Sequence, residues 1–457
     1  MRLASRLFVL LGLMAATVAA RPCRIEVVEQ GDGWPVPGVE LRTVHGVRLV
    51  SDNAGLIACD LPELMGRESW FTVIGHGYGV KADGFGYRGV RLTPAPDKTL
   101  RVTVERTIVA RRLGRLTGAG LFAEAQKLGE QLDWQESGVL GSDSVVTADF
   151  AGRLHWFWGD TLLARHPLGI FHVAAATTER FAPPARPPLR PPFAYVTEAA
   201  PAGAEARPRG VARLPGDGPT WLWGAVTLPD AQGKPHLVAV AQKVKADMRA
   251  YRWDLVEWDA ASASFRALST VWTADAAHPT PPLLPEGHAT PWTDPEGRAW
   301  MLFGETFPKL RVPATYEAWR DPARWEPVAA PAGATTPQGR LIKAHRGHVA
   351  WHPWSRRWLA VFTRDGGSSP LGEVWLAEAA APTGPWVDAR LVLAHEEYSF
   401  YNPVLHPEFF RPDSPVIHFE GTYATSFSGN RAPTPRWDYN QVLYQVDLSR
   451  PPFRTEK

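Results

Sequence analysis

Three acidic residues stand at strand boundaries: Asp143 opens a segment in Gly-Ser-Asp-Ser, while Asp160 in Trp-Gly-Asp-Thr and Glu305 in Phe-Gly-Glu-Thr end strands. Carboxyl groups brought together by a fold can divide labour. One stays protonated and serves a leaving oxygen, another activates water or attacks directly, and a third holds their pKa values apart. Hydrolysis of a glycosidic bond uses this chemistry, with a carboxyl separation of about 6.5–9.5 Å for inversion and about 5–5.5 Å for retention. Asp143, Asp160 and Glu305 are the candidates for such a division. Asp365 and Glu420 end comparable strands. Asp and Thr are also ordinary turn formers, so part of the repetition only closes strands.

Polar and aromatic side chains open the same segments: His288, His345, Arg346, His348, Tyr401 and Asn402, with Trp292 close by. They suit contacts to hydroxyl groups and stacking on a sugar ring. Satisfied buried histidine is the plainer alternative for each imidazole. No His-Glu-x-x-His or similar metal signature is present, and no cofactor is expected. The histidines leave room for a structural cation, since neutral imidazole is a frequent ligand.

These residues are far apart in the chain, so the fold must gather them. From residue 132 onward aromatic-rich strands recur and end alike: Trp156-Phe-Trp-Gly-Asp-Thr161, Trp221-Leu-Trp-Gly224, Trp300-Met-Leu-Phe-Gly-Glu-Thr306, Trp358-Leu-Ala-Val-Phe-Thr363 and Ile417-His-Phe-Glu-Gly-Thr422. Each follows another short strand, at residues 142–147, 209–214, 287–292, 347–351 and 401–405. Strand pairs repeating every 55–80 residues or so predict an all-β fold, a β-propeller, with five units giving five blades. First strands would line a central channel and function would gather at its mouth. The Pro-rich stretch 181–208 reads as a surface insertion.

Ser142-Asp-Ser-Val-Val146, Phe157-Trp-Gly-Asp-Thr161, Tyr401-Asn-Pro-Val-Leu-His-Pro407 and Phe419-Glu-Gly-Thr-Tyr423 resemble five-bladed-propeller glycoside hydrolases. The pattern is similar to the endo-D-arabinanase family and, more distantly, to the arabinanase–xylosidase clan. Ala380-Ala-Pro-Thr-Gly-Pro-Trp386 resembles a blade-closing turn of that clan. The resemblance implies Asp143 and Asp160 as the catalytic pair, Asp143 first as the base and Asp160 as the acid or partner; Glu305, third, matches in kind the clan's acid from a middle blade. It also implies inversion and a polysaccharide or glycoconjugate substrate, such as a furanoside. A non-catalytic carbohydrate-binding or adhesion propeller stays open, as does a propeller lyase or other hydrolase.

Residues 1–20 read as a signal peptide. Arg2 and Arg6 precede an apolar run, 7–18, shorter than the roughly 20 residues a membrane span needs, and Ala19-Ala20 suits cleavage. The chain is therefore expected to be secreted or periplasmic, with no membrane span after signal removal. Residues 21–106 predict a small β-sandwich with strands at 24–28, 39–44, 47–51, 69–75, 89–93 and 99–105. Its Pro35-Val-Pro-Gly-Val-Glu-Leu41 and Ser51-Asp-Asn-Ala-Gly-Leu56 resemble carboxypeptidase-regulatory-like, transthyretin-like modules, which implies a spacer or docking role. Residues 107–131 read as a connector with a short helix, and 132–457 as the propeller.

Cys23 and Cys59 are the only cysteines. In an exported chain a bridge between them is expected, contributing about 3–4 kcal/mol, with two buried thiols as the alternative. A net charge of +2 over 457 residues argues against a basic nucleic-acid footprint and a polybasic membrane tether. Most of the 20 tryptophans fall in the recurring strands and read as packing; Trp292, Trp351 and Trp354 are the candidates for sugar contact.

Overall fold

The computed structural model describes residues 21–199, 206–430 and 432–453; the expected signal peptide, 1–20, lies outside them. The described chain is nearly all β. Its two α-helices, Ala123–Lys127 and Tyr316–Arg320, have five residues each.

Near the N-terminus, Leu56–Cys59, Cys23–Glu29, Thr99–Arg106 and Tyr78–Gly79 form one four-stranded sheet. Arg48–Val50, Glu40–Thr43, Ser69–Ile74 and Gly89–Leu92 form another. Alternation decides which face is buried: Cys23, Ile25 and Val27 are covered while the residues between them are half-buried. Ile25, Val102 and Val104 of one sheet meet Leu41, Phe71 and Val73 of the other in a single core. Cys23 and Cys59 lie directly opposite each other on adjacent strands, but both are free buried thiols. The expected bridge is therefore corrected: Cys23 Sγ turns instead to the Lys98 carbonyl at 3.3 Å.

Among the described residues six further sheets follow: a small three-stranded one, taken up with the site below, and five larger antiparallel ones. The first of the five is Val145–Phe150, Arg153–Trp158, Ala174–Thr178 and Ala194–Tyr195. Next come Thr220–Pro229, Pro235–Val244, Ala250–Asp259 and Ser264–Thr273. The third holds His288–Thr293, Ala299–Gly304, Leu310–Pro313 and Glu326–Pro327. The fourth runs Leu341–His352, Arg357–Arg364, Glu373–Ala379 and Val387–Ala394, with Gly333–Thr335 on its edge. In the fifth, Ser399–Leu405, Val416–Ala424 and Asn440–Asp447 are completed by Arg111–Arg115.

An apolar core lies between each sheet and the next. Phe157 meets Leu222 and Ala239; Val226 and Trp253 meet Met301 and Val312. Phe307 meets Phe362 and Trp375; Leu376 meets Phe400, Ile417 and Tyr444. A further cluster, with Trp156 and Trp158 against Val404 and Phe409, joins the first sheet to the fifth. Sheets with two covered faces need bulky residues on both, and this consumes most of the tryptophan.

Three expectations differ. Residues 209–214 are not a strand. Val211, Ala212 and Leu214 are buried against the first and second sheets, and the amides of Val211 and Ala212 bond to the Val173 and His172 carbonyls instead of a ladder. The stretch 107–131 is more than a connector, since Arg111–Arg115 pairs with Asn440–Asp447. The Pro-rich insertion reaches back to the N-terminal sheets, where Leu189 is buried and its carbonyl accepts from Asn53 Nδ2 at 3.1 Å.

Arg112 fastens these parts together. Its buried guanidinium donates to the Tyr444 hydroxyl at 2.9 Å and to the Pro37 and His76 carbonyls at 2.9 and 2.5 Å. The rings of Tyr78, Trp437 and Tyr444 surround it.

Candidate active site

Asp143 and Asp160 face each other where a hairpin divides. Below them, Val145–Phe150 pairs with Arg153–Trp158; above them, Val139–Ser142 pairs with Thr161–Leu163 and then His166–Ile170 in a separate small sheet. At the break, the Asp143 amide donates to the Asp160 carbonyl at 3.1 Å, and the Gly159 amide to the Asp143 carbonyl at 2.9 Å. A side chain at Gly159 would press on Asp143 Oδ1, so glycine is what lets that carboxyl lie there.

The surrounding backbone is unusual. Ser144, Asn402 and Tyr439 all have positive φ, at 40°, 50° and 60°. Non-glycine residues in this region are held there by their surroundings, and such residues cluster at functional sites. Asn402 Nδ2 donates to Ser144 Oγ at 2.7 Å, and the Ser144 amide donates to Thr422 Oγ1 at 2.9 Å. The Tyr401 hydroxyl donates to Asp143 Oδ2 at 3.2 Å, and the Tyr439 hydroxyl also bonds to this carboxyl. Burial, then the charge of Asp160, push Asp143 up to about 7, although the two tyrosines pull the other way. Burial also raises Asp160, against a hydrogen bond from the Trp221 side chain. Asp160 Oδ1 is buried without a hydrogen-bond partner among the described residues. The pair therefore contains one carboxyl that keeps its proton to near neutrality and one with an oxygen to spare.

Trp221 and Trp223 share a face of the strand Thr220–Pro229, about 6–7 Å apart, and both are only half-buried. Trp221 serves Asp160. Over Trp223 lies the Arg346 guanidinium, 4.9 Å from the ring centroid, and Arg346 Nη2 pairs with Glu305 Oε1 at 2.7 Å. Lys309 Nζ approaches the other Glu305 oxygen at 3.6 Å. Two cations thus occupy Glu305. Beside them, burial and then the Glu305 charge raise Glu286, while Lys309 and Arg346 oppose. The tryptophan strand therefore stands between two acidic pairs, Asp143 with Asp160 and Glu286 with Glu305.

The His288 and His348 rings meet at 4.8 Å, and His348 Nδ1 lies 3.0 Å from the Leu405 carbonyl. Burial holds His288 well below its usual value and lowers His348 to about 4, so both are neutral imidazoles. No cluster of three or more metal-type ligands occurs among the described residues. Nearby, His406 Nδ1 is 2.8 Å from Glu408 Oε1, and its Nε2 makes an ion contact with Glu420 at 3.0 Å, outside hydrogen-bond geometry. Burial lowers His406, but the two carboxylates outweigh it and raise the imidazole to about 10. Glu420 is therefore an interior counter-charge, not a group at the Asp143 site.

The structure gathers Asp143, Asp160, Tyr401 and Asn402, and separately Glu305 with Arg346. His345 and Asp365 are exposed beside the latter group. Trp292 does not join them. It pairs with Trp300, four residues or about 13 Å along the strand from His288, and packs against the core of the fourth sheet. Trp292 therefore stands apart from both groups, half-buried against that core. Sequence reading missed Glu286, which lies two residues before His288. It also missed Tyr439, which precedes the third strand of its sheet, Asn440–Asp447. A wider window at each strand opening would have found Glu286; nothing local marks Tyr439.

The chain matches no protein-family profile and no curated protein. Among solved structures it is similar to an exo-1,5-alpha-L-arabinanase from a bovine ruminal metagenomic library, at 12% identity and TM-score 0.38, covering 68% of this chain and 95% of that one. It is also similar to the exo-beta-1,3-galactanase of Phanerochaete chrysosporium, at 10% and 0.37, covering 68% and 61%. A GH43_1 enzyme from Xanthomonas citri gives 11% and 0.37, covering 68% and 88%. Likeness at this level carries no argument about activity or substrate, so the chemistry rests on the site.

Proposed function

We propose that the chain is an exported glycoside hydrolase, with a signal peptide at 1–20, a sandwich over 21–106 and a five-bladed β-propeller beyond. The apolar cores between successive sheets, the last joining fifth to first, support the propeller. The reaction is hydrolysis of a polysaccharide or glycoconjugate. The observation that carries it is the facing pair Asp143 and Asp160, one held protonated to near neutrality and one with a buried oxygen that has no partner among the described residues. Asp143 gives its proton to the glycosidic oxygen as that oxygen's bond to the anomeric carbon breaks. Asp160 takes a proton from the water whose oxygen replaces it. This reverses the roles first expected from sequence, because Asp143 is the group that retains the proton. Tyr401, Tyr439 and Trp221 position the pair; Arg346 and Glu305 offer donors and acceptors to sugar hydroxyls.

The test is release of reducing ends from arabinans, arabinogalactans and xylans. Asp143→Asn and Asp160→Asn are each expected to lower the rate about 10²–10⁴-fold. Undiminished activity in both variants overturns the assignment. Glycan binding without hydrolysis by the natural chain selects the non-catalytic propeller.

A further inference from the structure

Beside the carboxyl pair lies a groove of about 1330 Å³, bounded by the small sheet that rises from Thr161 and by the segment 206–213. It is larger than the 300–1,000 Å³ or so of a typical small-molecule pocket. Arg165, Arg207, Arg209 and Arg213 line it, against Glu136 and Glu198. Four arginines against two glutamates leave +2 on this wall, as much as the net charge of all 457 residues. Arg165 and Arg207 are exposed and form no ion pair among the described residues. Arg209 is held by the Ser262 and Ala263 carbonyls at 2.6 and 3.1 Å, which fix its position without neutralising it. Arg213 has only a loose contact with Glu198, at 3.7 Å between two exposed side chains. Phe171 also lines the groove and is 38% exposed, leaving an aromatic face for a sugar ring. His172 adds a buried Nδ1 without a partner among the described residues.

The groove connects to the carboxyl pair through the backbone. Its wall begins three residues beyond Asp160, at Leu163. The Phe171 carbonyl accepts from the Thr220 amide at 3.0 Å, next to the Trp221 that serves Asp160. We infer that the groove is a binding site for an anionic glycan, whose carboxylate or sulfate groups meet the arginines while the scissile bond lies at Asp143 and Asp160. The inference rests on the proposed hydrolase for the second half of that statement only. Guanidinium groups bind such oxyanions by paired hydrogen bonds as well as by charge.

Binding is measured with the full chain carrying Asp143→Asn, so that no probe is consumed. The probes are hexagalacturonate, a sulfated heparin hexasaccharide and neutral arabinohexaose, each at low and high salt. At least one anionic probe is expected to bind about tenfold or more tighter than the neutral one, and to weaken as salt rises. Which one does so identifies carboxylate or sulfate as the recognised group. Arg165→Glu with Arg207→Glu is expected to remove that preference without changing the melting temperature, since both side chains are exposed. Equal binding of all three probes, or a preference that survives the double variant, overturns the groove assignment. Because this readout is binding, failure of the hydrolase reading in the reducing-end assay leaves it standing, and the reverse also holds.

Discussion

Asp143 holds its proton at the expense of the fold. Its carboxyl is raised from 3.8 to about 7, so between those values the native state binds more protons than the unfolded chain. Stability contributed here therefore falls as pH rises through that window. Asp143→Asn removes the burden, and thermal melts should show a higher Tm than the natural chain at about pH 8 but little gain near pH 4. A lower Tm at the alkaline pH would contradict the buried-acid account. In the proposed hydrolysis the same group sets the activity profile. The rate should fall as pH rises through about 7, where Asp143 loses its proton, and fall on the acid side as Asp160 gains one. Gly159→Ala tests position in place of charge. Its methyl group displaces Asp143 Oδ1, the movable end of a side chain, so the fold should persist while kcat drops about tenfold or more. Steady-state kinetics with unchanged kcat would show that the carboxyl tolerates displacement.

At the scale of strands, the fifth sheet carries a buried ion cluster whose contribution also falls as pH rises, but in a higher window. His406, at the end of Ser399–Leu405, stands between Glu408 and Glu420 with its imidazole raised from 6.5 to about 10. The contribution is complete below the unfolded value and is lost as pH rises through about 10. His406→Gln leaves Glu420 buried without a cation and should lower stability by about 3–5 kcal/mol, read from urea unfolding at neutral pH. Strand pairs were legible in the sequence because aromatic residues recur in one strand of each of the five sheets, directly before a glycine at Trp158, Trp223 and Phe303. Residues 209–214 misled because their apolar residues pack inward without a ladder, between Pro208 and Pro215. Asp143 and Asp160 were legible because they flank one hairpin. Glu286 and Tyr439 meet the others only through tertiary structure, and no spacing rule joins residue 143 to 439.

For the molecule as a whole, the N-terminal sheets and the last sheet are one assembly. Arg112 donates to carbonyls of the first unit and to Tyr444 of the fifth sheet. Arg112→Ala unpairs these acceptors together and should cost on the order of 3 kcal/mol, measurable as a shift in the urea midpoint of the full chain. An unshifted midpoint would mean that the rings around it, not the hydrogen bonds, hold the two parts. None of this was visible in a stretch of arginines that read as a connector, because the partner strand lies more than 300 residues later. That separation also sets an order of events during synthesis. At about 5–20 residues per second, Asn440–Asp447 emerges tens of seconds after Arg111–Arg115. Throughout that interval the earlier strand has a free hydrogen-bonding edge, and a nascent chain halted before residue 440 offers that edge to chaperones or to its own copies.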